Sequence, residues 1–253
     1  MIKAGIDAGA KFLKLVIMED GKLLAKSMEI CGTDLTPALN TAFDKALKEA
    51  GVSKDKIEKV KTTGVGGELL TLDWIKIEKA NIVGAIAKSA VYFFPGARAA
   101  VDVGAEDCRV AKCNEKGGLT EFALNDKCAA GAGLFLEAVS RALEIKAEEM
   151  GTLSLKAEKS ITMNTHCVVF AESEVVSLIH RKTPKEEIAR ASYDAISGRV
   201  VSLIRKIGIN GEIVVCGGVA RDAGFIASLK RKSGLNLLIP ELPEFAGAIG
   251  ACL

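Results

Sequence analysis

Aromatic residues and net charge are both scarce in this chain. Only 5% of the 253 residues are aromatic, and the formal net charge at pH 7 is +2. Nucleic-acid-binding domains usually carry a strongly basic surface, so this balance argues against binding to DNA or RNA. The basic clusters at residues 54–61 and 230–232 are interleaved with acidic residues or lie in helix-like segments. We interpret them as solvated surfaces.

Long hydrophobic runs and paired cysteines are also missing. No stretch approaches the length of an uncharged transmembrane helix, and residues 1–11 enter a predicted strand without a signal-peptide pattern. The seven cysteines are odd in number and include no Cys-x-x-Cys pair. That usage is typical of a reducing compartment in which thiols stay free. We therefore expect a cytoplasmic protein with no membrane partner.

The hydrophobic residues, which make up 49% of the chain, follow a weak internal repeat. Each half opens with an apolar strand that ends in Asp-x-Gly, at Asp7 and at Asp102, and continues with two predicted strands joined by a glycine turn. A helix and a fourth strand follow in each half. These are predicted at residues 35–50, 57–63, 130–143 and 211–216.

This duplication predicts an α/β protein with two similar lobes that face a cleft. We assign the first lobe to residues 1–95 and the second to residues 96–253. Residues 244–253 form a predicted helix that can pack back on the first lobe.

The two Asp-x-Gly hairpins are candidate contacts for a magnesium nucleotide. Glycine, as at Gly9 and Gly104, lets the backbone approach a phosphate closely, and a nearby carboxylate can hold a divalent cation or its waters. Mg²⁺ takes one or two protein carboxylates and keeps several waters, which fits Asp7 and Asp102 on opposite sides of one nucleotide.

A third glycine turn, Gly217-Gly218, follows a predicted buried strand and can lie flat against a nucleoside. Taken singly, Asp-x-Gly is a common turn, and Gly-Gly after a strand is an ordinary helix entry. The order and spacing of the three motifs together favour the nucleotide interpretation.

Two cysteines lie just before helix-like apolar segments. Cys128 belongs to residues 125–137 (NDKCAAGAGLFLE), and Cys167 precedes the apolar run that starts at Val168. Unpaired N–H groups at a helix N-terminus stabilise a thiolate, so both residues suit a metal cluster. Two thiolates are half of the four that a cubane cluster usually takes, so a twofold homodimer would supply the other pair.

A buried core thiol is the alternative for any of these cysteines, because free cysteine behaves as a small hydrophobe. We predict packing roles for Cys31, Cys216 and Cys252, which lie in apolar or glycine-rich surroundings. Cys108 and Cys113 lie five apart on a strand-like segment and would point to opposite faces of a sheet.

Six segments together resemble the ATP-dependent activators of 2-hydroxyacyl-CoA dehydratases. They are equally similar to the ATPase subunits of benzoyl-CoA reductases and to the reductases of double-cubane-cluster proteins, all BadF/BadG/BcrA/BcrD-type ATPases. The segments are IDAG, VDVG, NDKCAAGAGLFLEAVSRAL, HCVVFAESEVVSLI, VVCGGVARDAGF and PEFAGAIGACL. The resemblance covers essentially the whole chain.

This resemblance implies a duplicated actin/sugar-kinase/Hsp70-type (ribonuclease H-like) ATPase fold. It implies a homodimer in which Cys128 and Cys167 of both subunits hold one 4Fe–4S cluster. ATP, with Mg²⁺ and with ADP as product, would drive a single low-potential electron to a partner iron–sulfur enzyme. The acceptor would be a dehydratase, a benzoyl-CoA reductase-like enzyme or a double-cubane-cluster protein, and the donor a ferredoxin or flavodoxin.

The resemblance also implies roles for single residues. Asp7 and Asp102 would contact Mg²⁺ through water or contact the attacking water. The implied cofactor-binding positions are Gly9, Ala10, Lys11, Lys14, Gly104, Ala105, Glu106, Asp107, Gly131, Gly133, Gly217, Gly218 and Val219.

Both hairpins depart from the family pattern. Relatives usually carry hydroxyl residues after the first Asp-x-Gly, whereas this chain continues with Ala10 and Lys11; Lys11 or Lys14 would then supply a point charge. In the second hairpin Ala105 and Glu106 replace the usual Gly and Gln. We expect a specialised relative with an unusual partner or altered ATPase behaviour.

Two other functions fit the same fold class. In a small-molecule kinase, Asp107 or Asp126 would be the base that deprotonates the substrate hydroxyl. In a nucleotide-switched binding protein without redox chemistry, the cysteines would be structural. The kinase alternative gives no role to the NDKCAAGAG segment.

Overall fold

The computed structural model describes residues 1–125, 133–163 and 168–253. Within them the chain divides into two compact units, and each unit has its own five-stranded sheet and hydrophobic core. The first unit comprises Met1–Arg98, Cys113–Thr120 and Glu244–Leu253, and the second comprises Ala99–Lys112 and Glu121–Pro243. No helix among these described residues has the length and apolar character needed to cross a membrane.

The described strands form the two sheets, and the described helices cover these sheets. The strands are β1 (Ile2–Ala8), β2 (Phe12–Glu19), β3 (Lys22–Ile30), β4 (Ile57–Thr63), β5 (Ile77–Lys79), β6 (Ala99–Val103), β7 (Cys108–Cys113), β8 (Leu119–Leu124), β9 (Glu212–Cys216) and β10 (Asn236–Leu238). The helices are α1 (Thr36–Ala50), α2 (Ile82–Phe93), α3 (Gly133–Ala142), α4 (Ala147–Ser154), α5 (Val168–His180), α6 (Lys185–Lys206), α7 (Ala223–Ser233) and α8 (Ala246–Cys252).

The sheet of the first unit has the strand order β3-β2-β1-β4-β5. β1 pairs antiparallel with β2 and parallel with β4. Because side chains alternate along a strand, Ala4, Ile6 and Ala8 enter the core that α1 covers, and Asp7 lies on the opposite face.

The sheet of the second unit has the order β10-β9-β6-β7-β8. β6 pairs antiparallel with β7 and parallel with β9, as β1 does with β2 and β4. Its core joins Val101 and Val103 of β6 to helix residues such as Phe135, Ile196 and Phe225. The strand order of one sheet is therefore repeated in the other, which confirms the predicted duplication.

Local sequence signals account for the element boundaries. α1 and β4 lie where the periodicity predicts them, and α1 ends at Gly51, whose φ of 65° is left-handed. α2 begins after Asn81, whose side-chain oxygen accepts a hydrogen bond from the Gly84 N–H at 3.0 Å. α3 begins at Gly133, and residues 130–132 of the predicted helix lie outside the described part of the chain.

The C-terminal helix α8 is buried against β1 and α2 of the first unit, although β10 before it belongs to the second unit. Glycines make this contact close. A Cβ on Gly5 of β1 would lie 2.8 Å from the Cβ of Cys252. A side chain at Gly5 would therefore force α8 off the sheet.

Candidate nucleotide-binding hairpins

The first hairpin pairs Asp7 with a lysine. Asp7 lies opposite Lys14 in the antiparallel register of β1 and β2. Lys14 Nζ donates to Asp7 Oδ2 at 3.3 Å, and both side chains are mostly buried. The turn is closed by the Gly9 N–H, which donates to the Phe12 carbonyl oxygen at 3.0 Å. The carboxylate is thus held in a fixed orientation at the end of β1.

Two glycines leave room for the Asp7 carboxylate. Gly64 follows β4 with a left-handed φ of 87°, and a Cβ there would lie 2.5 Å from Asp7 Oδ1. A Cβ at Gly247 of α8 would lie 2.9 Å from Asp7 Oδ2. Any larger residue at either position would displace the carboxylate, so β4 and α8 together form its cradle.

The tip of the first hairpin carries no hydroxyl side chain. Ala10 is exposed, and the Lys11 ammonium lies 5.5 Å from the centre of the Phe12 ring. The Cys31 thiol donates to the Gly9 carbonyl oxygen at 3.4 Å, and burial raises the pKa of this thiol. Cys31 also packs against the core of the first unit, as predicted, but no sequence pattern indicates its contact with the hairpin.

The second hairpin repeats this arrangement with an arginine. Asp102 lies opposite Arg109 in the register of β6 and β7, and Arg109 Nη1 donates to Asp102 Oδ2 at 3.0 Å. Arg109 Nη2 donates to Asp107 Oδ2 at 2.6 Å. The Gly104 N–H closes the turn on the Asp107 carbonyl oxygen at 2.9 Å.

A left-handed glycine also lies against Asp102. Gly217 follows β9 with a φ of 87°, and a Cβ there would lie 2.8 Å from Asp102 Oδ1. Its N–H donates to the Pro243 carbonyl oxygen at 2.8 Å. Gly217 therefore occupies in the second unit the position that Gly64 occupies in the first.

The predicted nucleotide positions of the second unit come together around the start of α3. The N–H of Gly133 donates to the Gly104 carbonyl oxygen at 2.9 Å, and that of Leu134 donates to the Ala105 carbonyl oxygen at 2.9 Å. A Cβ on Gly133 would lie 3.2 Å from Cγ2 of Val219. Glu106 and Gly218 are exposed. Gly131 lies outside the described residues.

The two cysteine segments lead into neighbouring helices. α3 starts at Gly133 and α5 starts at Val168, and the two helices pack against each other. Cys128 and Cys167, with the alternative base Asp126, lie outside the described residues. Among the residues that are described, no cluster of His, Cys, Asp or Glu is arranged to hold a metal ion.

The other described cysteines are packing residues. Cys108, Cys113, Cys216 and Cys252 are buried free thiols. Burial raises the pKa of Cys108 and of Cys216 far above the ordinary range, and the nearby Asp102 carboxylate adds to both shifts. These two thiols therefore stay protonated, which disfavours them as metal ligands. The packing roles predicted for Cys216 and Cys252 are confirmed.

Sequence reasoning missed three residues that lie against the two hairpin aspartates, namely Arg109, Gly64 and Gly247. A signal for Arg109 existed, because a cation follows the hairpin aspartate by the same interval in both halves of the repeat. Gly64 could likewise have been found as the counterpart of Gly217 after the fourth strand. Nothing in the local sequence indicates that Gly247 contacts Asp7.

Comparison with known proteins identifies one family. The sequence pattern of the BadF/BadG/BcrA/BcrD ATPase family matches residues 4–253. The chain is 30% identical to the 2-hydroxyisocaproyl-CoA dehydratase activator of Clostridioides difficile, over 100% of this chain and 94% of that protein. It is 32% identical to the (R)-2-hydroxyglutaryl-CoA dehydratase activating ATPase of Acidaminococcus fermentans, over 98% and 95%. It is 31% identical to one of the subunits of the benzoyl-CoA reductase of Thauera aromatica, over 100% and 92%.

Solved structures agree with this match. Component A of the (R)-2-hydroxyglutaryl-CoA dehydratase of Acidaminococcus fermentans has a TM-score of 0.93 at 31% identity, over 100% of this chain and 96% of that one. The Clostridium difficile activator of 2-hydroxyisocaproyl-CoA dehydratase with bound ADPNP has a TM-score of 0.91 at 30% identity, over 100% and 93%. A ROK family glucokinase from Streptomyces griseus, with a TM-score of 0.63 at 14% identity over 100% and 98%, shares the fold alone. The predicted actin/sugar-kinase/Hsp70-type fold class is confirmed.

Proposed function

Because the chain belongs to the BadF/BadG/BcrA/BcrD ATPase family, we propose that it is an ATP-dependent reductive activator of a partner iron–sulfur enzyme. The observation that carries this proposal is the full-length match to relatives named as dehydratase activators, together with two hairpins of the same design. ATP binding and hydrolysis would be coupled to transfer of one low-potential electron.

The chemistry of the hairpins fits a magnesium nucleotide. Carboxylate oxygens are the ligands that Mg²⁺ and its waters prefer, and Asp7 and Asp102 each lie in a glycine cradle that a Cβ would fill. We assign Asp7 and Asp102 to Mg²⁺ through water, and Gly9 and Gly104 to close backbone approach to phosphate. When bound, the metal neutralises charge that develops on the transferring phosphoryl group.

The remaining nucleotide contacts follow from the same assignment. Gly218 is exposed, and among the described residues no atom beyond its chain neighbours lies within 4 Å of the position its Cβ would take, so a flat nucleoside can approach it. Val219, Gly133 and Ala105 lie beside one another at the start of α3. Lys14 holds the Asp7 carboxylate in place, and Lys11 adds positive charge at the tip of the first hairpin.

We assign the redox group to Cys128 and Cys167. Two thiolates from each of two subunits would complete the ligand set of one 4Fe–4S cluster per homodimer, and this cluster supplies one-electron transfer. Support comes from the helices α3 and α5, which follow these cysteines in the sequence and pack against each other. Movement at the second hairpin would reach α3 through the hydrogen bonds of Gly133 and Leu134.

The acceptor would determine the overall reaction, because the organic substrate would enter the chemistry only through that partner. We infer an acceptor that is a 2-hydroxyacyl-CoA dehydratase, a benzoyl-CoA reductase-like enzyme or a double-cubane-cluster protein. A ferredoxin or flavodoxin would supply the electron.

Anaerobic purification tests this function. We expect brown protein with iron and sulfide near one 4Fe–4S cluster per dimer, and ATP-dependent reduction of an acceptor iron–sulfur protein. Colourless, iron-free protein that phosphorylates a small molecule would indicate a kinase instead. Iron-free protein that binds nucleotide without either reaction would indicate a nucleotide-switched binding protein.

A further inference from the structure

Arg109 bridges two carboxylates that differ in burial. Its guanidinium donates to Asp102 on one side and to Asp107 on the other. The side chains of Arg109 and Asp102 are 14% and 11% exposed, whereas that of Asp107 is 40% exposed. Arg109 is therefore anchored on its buried side, and its other nitrogen is held by a carboxylate that faces solvent.

The two ion pairs differ in how easily they are exchanged. Breaking a buried pair leaves an uncompensated charge, so the Asp102 contact is costly to lose. A pair with one carboxylate open to solvent contributes less, because water and salt screen it. A competing anion would therefore displace Asp107 and leave the contact between Arg109 and Asp102 in place.

A phosphate group is the anion that suits this position. With Nη1 kept on Asp102, Nη2 would donate to a phosphate oxygen in the charge-assisted hydrogen bond that arginine favours. The Asp107 backbone closes the turn at Gly104, so its side chain belongs to the hairpin that we assign to phosphate.

We propose that Asp107 is an internal stand-in for phosphate, and that a phosphate of the bound nucleotide displaces its carboxylate from Arg109. Arg109 is then a nucleotide-binding residue that keeps Asp102 oriented in both states. The proposal rests on the proposed function, because it requires ATP to bind at the second hairpin.

Opposite changes in affinity are expected for the two partners. Arg109→Gln removes a charge-assisted contact and should weaken binding of ADPNP with Mg²⁺ roughly tenfold or more, since such hydrogen bonds are worth about 1.5–3 kcal/mol. Asp107→Asn keeps the size of the side chain but removes the competing charge, and it should tighten ADPNP binding severalfold. Both affinities are measured by titration calorimetry, with adenosine as the ligand that lacks phosphate and should bind each variant alike.

Lys112→Gln provides the matched control. Lys112 lies on the same strand and forms an exposed pair with Glu121 at 3.3 Å, so its loss should leave ADPNP affinity unchanged. Weaker ADPNP binding by Asp107→Asn would overturn the stand-in role, even if Arg109→Gln failed to fold. Parent affinity in both variants would overturn it too, while the activator function stood. No ADPNP binding by the parent protein would overturn both.

Discussion

At the scale of single residues, the two hairpins share one electrostatic pattern. Each aspartate lies opposite a cation on the next strand, Lys14 in one unit and Arg109 in the other. In each hairpin the ion pair holds a mostly buried carboxylate in a fixed position. The two units therefore orient their aspartates in the same way.

Removal of either carboxylate should stop ATP hydrolysis. We expect Asp7→Ala and Asp102→Ala each to lower the steady-state ATPase rate by about 10²-fold or more, because the metal that balances developing phosphoryl charge loses a partner. Asp44→Ala is the control, since that side chain is 72% exposed on α1. If either hairpin variant hydrolyses ATP at the parent rate, the assignment is wrong for that unit.

Loss of either assigned cluster ligand should abolish iron binding and spare nucleotide binding. Cys128→Ser and Cys167→Ser remove thiolates. Most positions that we assign to nucleotide, among them Asp7 and Asp102, lie in other segments of the chain. Iron content and ADPNP affinity are measured on anaerobic protein. Cys252→Ser should keep its iron because that thiol is buried beside β1. A Cys128→Ser protein with a full cluster would contradict the ligand assignment.

At the scale of elements, a glycine sets the backbone conformation directly after β4 and directly after β9. Gly64 after β4 and Gly217 after β9 share a φ of 87°, and each lies against its aspartate carboxylate. The left-handed backbone and the close approach both exclude a side chain. β4 and β9 thus confine the aspartates from the side of the sheet opposite β2 and β7.

Replacing Gly217 with alanine should lower the free energy of unfolding far more than replacing Gly234 with alanine. Both positions have a positive φ, but within the described part of the chain only the immediate neighbours of Gly234 come within 4 Å of its Cβ position. Gly234→Ala should cost about 1–2 kcal/mol of unfolding free energy from backbone strain alone. Gly217→Ala adds a collision with β6 and Asp102, so we expect a larger loss together with weaker ADPNP binding. Urea unfolding and calorimetry measure the two effects, and equal losses would contradict the cradle.

The thiol at the end of α8 should make stability depend on alkaline pH. Burial raises the pKa of Cys252 from 9.0 to about 11, although Lys3 and Lys61 oppose the shift. Because the pKa is higher in the folded state, this stabilisation is complete below about pH 9 and is lost as the pH rises through about 11. Cys252→Ala should flatten the fall of unfolding free energy across that range by up to about 3 kcal/mol. Urea titrations at several pH values check this, and an unchanged slope would contradict it.

At the scale of the whole molecule, much of the fold was predictable and part of the site was not. The repeated Asp-x-Gly strands and the periodicity of residues 35–50 predicted two sheets of one design, because these signals are local. A C-terminal helix that can pack back on the first lobe was predicted, but no local pattern in the sequence places Gly247 against Asp7. Cys31 was predicted to pack from its local surroundings, whereas the contact of its thiol with the first hairpin depends on how β3 ends beside the start of β2.

Nucleotide should stabilise the whole chain, and each unit should be needed for this. A ligand at 100 times its dissociation constant adds about 2.7 kcal/mol to the free energy of unfolding. We expect Mg²⁺ with ADPNP to raise the thermal midpoint of the parent protein. Asp7→Ala and Asp102→Ala should each lose most of that rise, and Asp44→Ala should keep it. A full rise in either hairpin variant would show that its unit does not contribute to the nucleotide site.

The return of α8 to the first unit has a consequence for biosynthesis. The ribosome synthesises β1 to β5 first. Helix α8, which covers Gly5 and lies against Asp7, is synthesised after the entire second unit. The first unit cannot finish folding during its own translation, because its final layer is still unmade. A chain interrupted before Ala246 would leave Asp7 without part of its cradle. The surroundings of the first hairpin are therefore complete only in chains whose second unit has already been synthesised.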